Sequence, residues 1–238
     1  MFKNFSLKVK FALIMIIVGF IANLFIAVIA FYYIQGFRKN ELTHDAKIIL
    51  FAEKSTRDYT SNVLRPAVMK STNKFVMPAE SATFVALGVA KLIKKFLPHY
   101  VYSEPTLNPL NLKNEANYFQ TRIINKFKSN PSLKSANGYH KFKGISYFYV
   151  MKPVIAKNGC MICHGNPSNK SPITQAIVKK YGNTHGWHWK NGTVVGALSV
   201  LVPTKLYRQR CTQKFDYNRY SNFYYSISGF NNSTVIYQ

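Results

Sequence analysis

The sequence predicts an α+β domain, an antiparallel sheet flanked by helices, preceded by one transmembrane helix. Three observations predict it. An uncharged apolar run, Phe11 to Ile34, lies near the N-terminus. Apolar residues then recur at helical spacing in two stretches ahead of Asn130. After Gly138 the texture changes to aromatic and β-branched runs separated by turn residues, which reads as strand.

The apolar run comes first. No charged residue occurs between Lys10 and Arg38. As a helix, Phe11 to Ile34 rises about 36 Å at 1.5 Å per residue, enough to cross a hydrocarbon core of about 30 Å with some tilt. Tyr32 and Tyr33 sit where an interfacial aromatic belt belongs. A signal peptide has an apolar region of about 7–15 residues and a small-residue cleavage site. This run is longer, and Phe31-Tyr32-Tyr33-Ile34-Gln35 offers no such site, so it reads as an uncleaved anchor.

Beyond Arg38 the chain is polar, with Leu42, Ala46, Ile49 or Leu50, Glu53 and Arg57 recurring on one face. This reads as an exposed or weakly amphipathic helical stalk, either a tether or a surface for pairing with a second copy into a homodimer. Arg65-Pro66 is expected to break or kink it. Residues 80–97 form a helix candidate with Val85, Val89, Leu92, Ile93 and Phe96 on one face and Pro98 after its end. Tyr100 to Ser103 is extended. Asn114 is the expected N-cap of a helix lined by Ala116, Phe119, Ile123 and Phe127, closed by Asn130-Pro131. Tyr139 to Lys143 and Ile145 to Met151, around Gly144, read as a β-hairpin. A helix is expected at 173–181, ending at Gly182-Asn183, and a last strand at 192–202, stopped by Pro203.

Between hairpin and last helix lies Cys160-Met161-Ile162-Cys163-His164, followed by Gly165-Asn166-Pro167. Two thiols three positions apart with a histidine directly after them are the attachment pattern for c-type haem. The spacing has a chemical reason. Each thiol can add across one vinyl group of the porphyrin, and the adjacent imidazole then supplies the proximal iron ligand. Cys160, Cys163 and His164 are thus the expected binding residues for one covalent haem c per chain. A zinc site needs a second ligand pair, and the remaining cysteine, Cys211, has no neighbouring ligand. A redox dithiol belongs at a helix start, whereas the flanking Gly159 and Gly165-Asn166-Pro167 suggest a loop.

With these residues in hand, the chain resembles a family of c-haem-binding, PAS-like sensor domains of bacterial histidine kinases and chemoreceptors, formerly catalogued as a domain of unknown function. The resemblance covers about Leu64 to Pro203. It rests on ordered blocks: Leu64-Arg65-Pro66, Ser81-Ala82-Thr83, Leu107-Asn108-Pro109 with Asn114-Glu115-Ala116, Tyr147-Phe148-Tyr149, Cys160 to Pro167, and Gly192 to Pro203. It implies a PAS-like antiparallel sheet holding one haem c, in a sensor of redox state or of a small diatomic ligand. The departure is distal: some relatives place a cysteine on the first long helix, and this helix has none. Candidates for the sixth iron ligand are Met69, Met77, Met151, His44, His99, His140, His185 and His188. Met69 leads, because it follows Leu64-Arg65-Pro66 on the segment expected to face the pocket. Gly186-Trp187-His188-Trp189 reads equally as a haem-stacking element or as an aromatic hairpin on the sheet.

The resulting organisation is a cytoplasmic N-terminus (1–10), transmembrane helix (11–34), helical stalk (35–63), haem domain (64–205) and irregular tail (206–238). Haem c is attached outside the inner membrane, so the domain is expected in the periplasm of a single-pass protein. The formal charge is +24, from 32 basic and 8 acidic residues. Nucleic acid is not the expected partner, because the lysines are scattered and no nucleic-acid motif is present. Acidic lipid headgroups or an acidic redox partner fit the charge better. A membrane-tethered c-type cytochrome for electron transfer is the alternative function. No paired acid–base residues stand out for a haem enzyme such as a peroxidase, and no kinase or chemoreceptor signalling region is read in these residues. The tail from Cys211, dense in Tyr, Asn, Ser and Phe, reads either as an irregular C-terminus or as an apolar helix translated out of frame.

Overall fold

The computed structural model describes residues 6–204; the tail expected to be irregular or out of frame lies outside them. The chain divides into two compact units, Met1–Thr43 and His44–Gln238. The first holds the apolar part of helix α1 (Leu7–Tyr59). α1 belongs to the one helical stretch among the described residues long and apolar enough to cross a membrane, with a mean hydropathy of 2.9 in its best window, none of it buried.

In the second unit, the later part of α1 is not an exposed stalk. Ala46, Ile49, Leu50 and Glu53 are buried. Asp45 accepts a hydrogen bond from the Tyr100 hydroxyl (2.9 Å). The face that the sequence offered to a second copy is therefore occupied within the chain itself. Nor does Arg65-Pro66 stop the helix. Residues Thr60–Leu64 widen into a π-helical turn and α2 (Arg65–Ser71) follows directly, with the Arg65 amide bonded to the Thr60 carbonyl. A proline ring clashes with the carbonyl four residues back and brings no N–H; the extra residue in the turn relieves both problems.

Two helices follow, α3 (Met77–Glu80) and α4 (Ala82–Phe96). Ser81 caps α4 by accepting from the Phe84 amide. The buried side of α4 is Ala82 and Ala86, whereas Leu92 and Phe96 of the expected face are exposed. Periodicity found the helix, but small residues mark where its backbone lies close to a neighbour. Strand β1 (Val101–Ser103) leads through a short 3-10 turn to α5 (Tyr118–Ser129). Its N-cap is Asn117, not Asn114: the Asn117 side chain accepts from the Gln120 amide and Gln120 returns the bond to the Asn117 amide. Asn114 instead ends the 3-10 turn. An asparagine caps best when a Glu or Gln stands three residues on, and only Asn117 has one.

Strands β2 (Ala136–Phe142), β3 (Ile145–Ile155) and β4 (Val194–Pro203) complete a four-stranded antiparallel sheet in the order β1-β4-β3-β2. The hairpin turns at Lys143-Gly144, both with positive φ (47° and 78°), the geometry that matches the twist of paired strands. Register pairs Tyr139 with Phe148 and Val150 with Val200. One sheet face carries Met151 and Ala197 into a core with Ile123, Ile124 and Phe127 of α5. On the other face Phe148, Val150, Val200 and Val202 are buried, and the Lys152 ammonium lies 4.8 Å from the Phe51 ring centroid on α1. The fold is α+β with an antiparallel sheet, as the sequence predicts.

Phe127 is 1% exposed at the centre of that core. Phe127→Ala should cost about 3–5 kcal/mol of unfolding free energy, read by urea titration; a loss under about 1 kcal/mol would mean that α5 does not seal the sheet.

Candidate functional site

The Cys-x-x-Cys-His segment is helical rather than a loop. A 3-10 turn (Asn158–Cys160) runs into one α-turn, α6 (Met161–His164). Gly165 ends it, where a Cβ would meet the Met161 carbonyl oxygen at 2.6 Å. Cys163 and His164 line a cavity of about 350 Å³, within the roughly 300–1,000 Å³ of typical cofactor clefts. Phe75, Phe84, Leu87, Leu110 and Ile177 make its walls largely apolar. Cys160 is half-buried, outside the cavity lining, with its sulfur accepting from the Lys157 amide (3.3 Å).

Residues 186–189 hold His164 in place. Its Nδ1 lies 2.7 Å from the Gly186 carbonyl oxygen. A carbonyl only accepts, so Nδ1 carries the proton and Nε2 keeps its lone pair. Burial pushes the ring down to about 4; the Gly186 hydrogen bond works against this and Arg57 adds to it. The imidazole is therefore neutral at ordinary pH. Trp189 stacks on it with centroids 3.6 Å apart and planes 6° from parallel. The amides of His188 and Trp189 donate to the carbonyls of Gly165 (2.9 Å) and His164 (3.1 Å). Trp187 is buried and donates from Nε1 to the Gly182 carbonyl (3.1 Å). The segment is neither a hairpin nor a single aromatic patch. One tryptophan anchors it and the other orients the histidine.

Gly186 has to be glycine. Its φ is +78°, and a Cβ would meet the Leu110 amide nitrogen at 2.4 Å. Its own amide donates to Asn108 Oδ1 (3.0 Å). The Leu107-Asn108-Pro109 block is thus the support for the carbonyl that fixes His164.

Beneath the cavity lies a buried charged network that the sequence did not announce. Thr83 lines the cavity. Its hydroxyl donates to Glu104 Oε2 (2.8 Å) and accepts from Arg57 (2.8 Å). Arg57 pairs with Glu104, and Tyr102 donates to Glu104 Oε1 (2.7 Å). Burial works against the Arg57 charge, but Glu104 and Tyr102 outweigh it and leave its pKa above the ordinary value. Burial and Glu104 push the Tyr102 hydroxyl upward. Beside them Glu53 is fully buried with no hydrogen-bond partner on either oxygen. Burial, then Glu104, raise it to about 7, against a smaller lowering by Arg57.

The thiols do not resemble a redox pair. Burial raises Cys163 above its ordinary value, with Glu80 and Cys160 adding to this and Arg65 opposing it, whereas a reactive dithiol needs a depressed pKa. Among the described residues no three of His, Cys, Asp or Glu gather where they could hold a bare metal ion. A macrocycle that brings four nitrogens of its own needs only axial side chains.

Of the sixth-ligand candidates, Met77 lines the cavity. Met69 is 47% exposed on α2 and is not among the lining residues. Met151 is in the sheet core. His140 stacks on Phe119 at 3.9 Å. His44, His99, His185 and His188 are exposed.

Residues 38–203 match the family described as Tll0287-like. The chain belongs to that family. The match takes in the later part of α1, which the resemblance drawn from sequence blocks began only at Leu64. A solved structure described as the cyanobacterial heme-protein Tll0287 superposes with a TM-score of 0.50 at 16% identity, covering 68% of this chain and 95% of that one. At that identity the likeness speaks for the fold. No protein with a curated description matches the chain.

The folded Tll0287-like domain binds the Glu53 proton more tightly than the unfolded chain does. Glu53 therefore favours folding below its ordinary pKa of 4.5, and that contribution is lost as pH rises through about 7. Glu53→Gln should gain stability relative to wild type across this window, read by denaturant titration at several pH values. Groups that do not interact with Glu53 cancel in the difference. A difference that does not change with pH would mean that Glu53 is hydrated or paired.

Proposed function

We propose that this chain is the membrane-anchored, haem c-binding input domain of a signalling protein, lying in the periplasm and responding to redox state or a diatomic ligand. The observation that carries the reading is His164. It sits on the wall of an apolar cavity beside Cys163, neutral, with Nδ1–H committed to Gly186 and the Nε2 lone pair free. A haem-ligating histidine needs this second-sphere arrangement. Cys160 and Cys163 would hold the macrocycle through thioethers, one haem per chain, and His164 would ligate its iron. When bound, the haem supplies a one-electron couple and a centre for diatomic ligands. The chain's own residues do the rest. Gly186 fixes the tautomer, Trp189 fixes the ring plane, and the apolar walls exclude water.

The apolar part of α1 supports a single inner-membrane span with the N-terminus inside, because haem c attachment takes place on the outer side. Arg57 on α1 meets the cavity through Thr83, so a change of charge at the haem would be felt on the helix that leads to the span. The second reading is a tethered c-type electron carrier, favoured by the +24 charge, which suits an acidic redox partner.

Haem should survive denaturation in a haem-stained gel of the full chain and vanish in the Cys160→Ala, Cys163→Ala double variant. Loss from the wild type on denaturation would overturn covalent attachment. His164→Ala should retain the stain but lose the wild-type absorption spectrum. A reporter that works only in the periplasm, fused at position 205, should be active; activity from a cytoplasm-only reporter there would reverse the orientation.

A further inference from the structure

Resting on the haem reading above, we infer that Met77, on the cavity wall it shares with His164 and held by two side chains of α7 (Pro172–Tyr181), is the second protein ligand of the iron. Three observations lead there.

The first is placement. Of the sulfur and imidazole groups that the sequence left open, Met77 is the one brought to the cavity. Among the other polar side chains on the wall, Lys91 and Tyr181 are an ammonium and a phenol, which each have to give up a proton before donating an electron pair to iron. A thioether donates as it stands, and haem iron accepts it readily.

The second is the support around the sulfur. The Tyr181 hydroxyl lies 3.5 Å and the Lys180 ammonium 3.4 Å from Met77 Sδ. A thioether is a weak acceptor, so two polar donors converging on one are not explained by the strength of those contacts. They do restrict an otherwise flexible side chain. α7 (Pro172–Tyr181) is fixed in turn by its Ser171 cap and by Gly182, with φ +80°, at its end. Ile177 and Tyr181 of α7 line the same cavity, and α6 with His164 packs on α7. One short helix therefore supports both axial side chains.

The third is local geometry. Met77 opens α3, where the Val76 amide donates to the buried Glu80 carboxylate (2.6 Å) and Arg65 Nε to the Glu80 carbonyl (2.7 Å). The backbone that carries Met77 is thus fixed to α2 and cannot drift from the cavity as a free loop would.

Ligation by a thioether and an imidazole fills both axial positions and raises the reduction potential. Iron would take one of the sulfur's two lone pairs and displace the Lys180 ammonium from it; the Tyr181 hydroxyl, on the other lone pair, would withdraw density and raise the potential further. Electron transfer then leaves both ligands in place, while a diatomic gas has to displace Met77 to bind. The site is a redox-responsive one with gas binding gated by a methionine.

The test is the spectrum of the full chain, matured with its haem and purified in detergent. The ferric wild type should be low-spin and show the weak far-red band of a thioether bound to ferric haem. Met77→Leu, close in volume, should lose the band, lower the potential and bind carbon monoxide faster in the ferrous state. Met69→Leu should keep the band. Tyr181→Phe should keep it too, with a lowered potential. Covalent haem without the band in the wild type, or a band that persists in Met77→Leu, overturns this inference alone. A wild-type chain without covalent haem overturns the underlying reading instead.

Discussion

The site depends on one hydrogen bond, from His164 Nδ1 to the Gly186 carbonyl. It decides which ring nitrogen keeps its proton, and so which one can bind a metal. Making it demands much of the surroundings. Gly186 adopts a positive φ against the Leu110 backbone, a position no side chain could share, and its amide is taken by Asn108. The following residues then bring Trp189 flat against the imidazole and two amides onto the end of α6. Three segments far apart in sequence close on one side chain, which has two ring nitrogens and one free lone pair.

A second constraint lies under the cavity. This is a strongly basic protein with 8 acidic residues in all, yet three of them, Glu53, Glu80 and Glu104, are buried near the site. Glu104 is satisfied by Arg57, Thr83 and Tyr102, and Glu80 by a backbone amide. Glu53 is not satisfied, and an unpaired buried carboxyl holds its proton rather than carry a charge in a low-dielectric interior. Thr83, which lines the cavity, is where this network reaches the site, and the Arg57 charge adds to the lowering of the His164 pKa. The network binds α1 into the domain, and that explains why a face with polar Glu53 and Arg57 in it is nonetheless buried.

Much was legible in the sequence because it was carried by local chemistry. The apolar run, the Lys143-Gly144 hairpin, α5 and α7, and β4 with its stop at Pro203 each follow from periodicity, turn residues and caps within a few positions. The Cys160-Cys163-His164 motif is likewise a local pattern, read from five consecutive residues. The errors arose where local signals compete. Asn114 and Asn117 are both plausible caps, and the reciprocal bond to Gln120 chose between them. Pro66 breaks an α-helix but not one that widens into a π-turn ahead of it.

Tertiary structure alone decided the rest, because it depends on which distant groups meet. Glu53 and Arg57 read as part of an exposed stalk, but in the fold Glu53 is buried and Arg57 is bonded to Glu104 and Thr83. Trp187 and Trp189 are two residues apart and look equivalent, but only one has the His164 ring beside it. Met69 and Met77 are chemically identical in the sequence, and chain direction separates them: α2 leaves Met69 half in solvent, while the turn into α3 brings Met77 to the cavity. The sequence by itself determined that a thiol, a thiol and a histidine are carried on five consecutive residues; that Cys163 and His164 line the cavity and Cys160 does not was decided by the fold. What lies across from that histidine is set by packing of α3, α4 and α7, and no spacing along the chain records it.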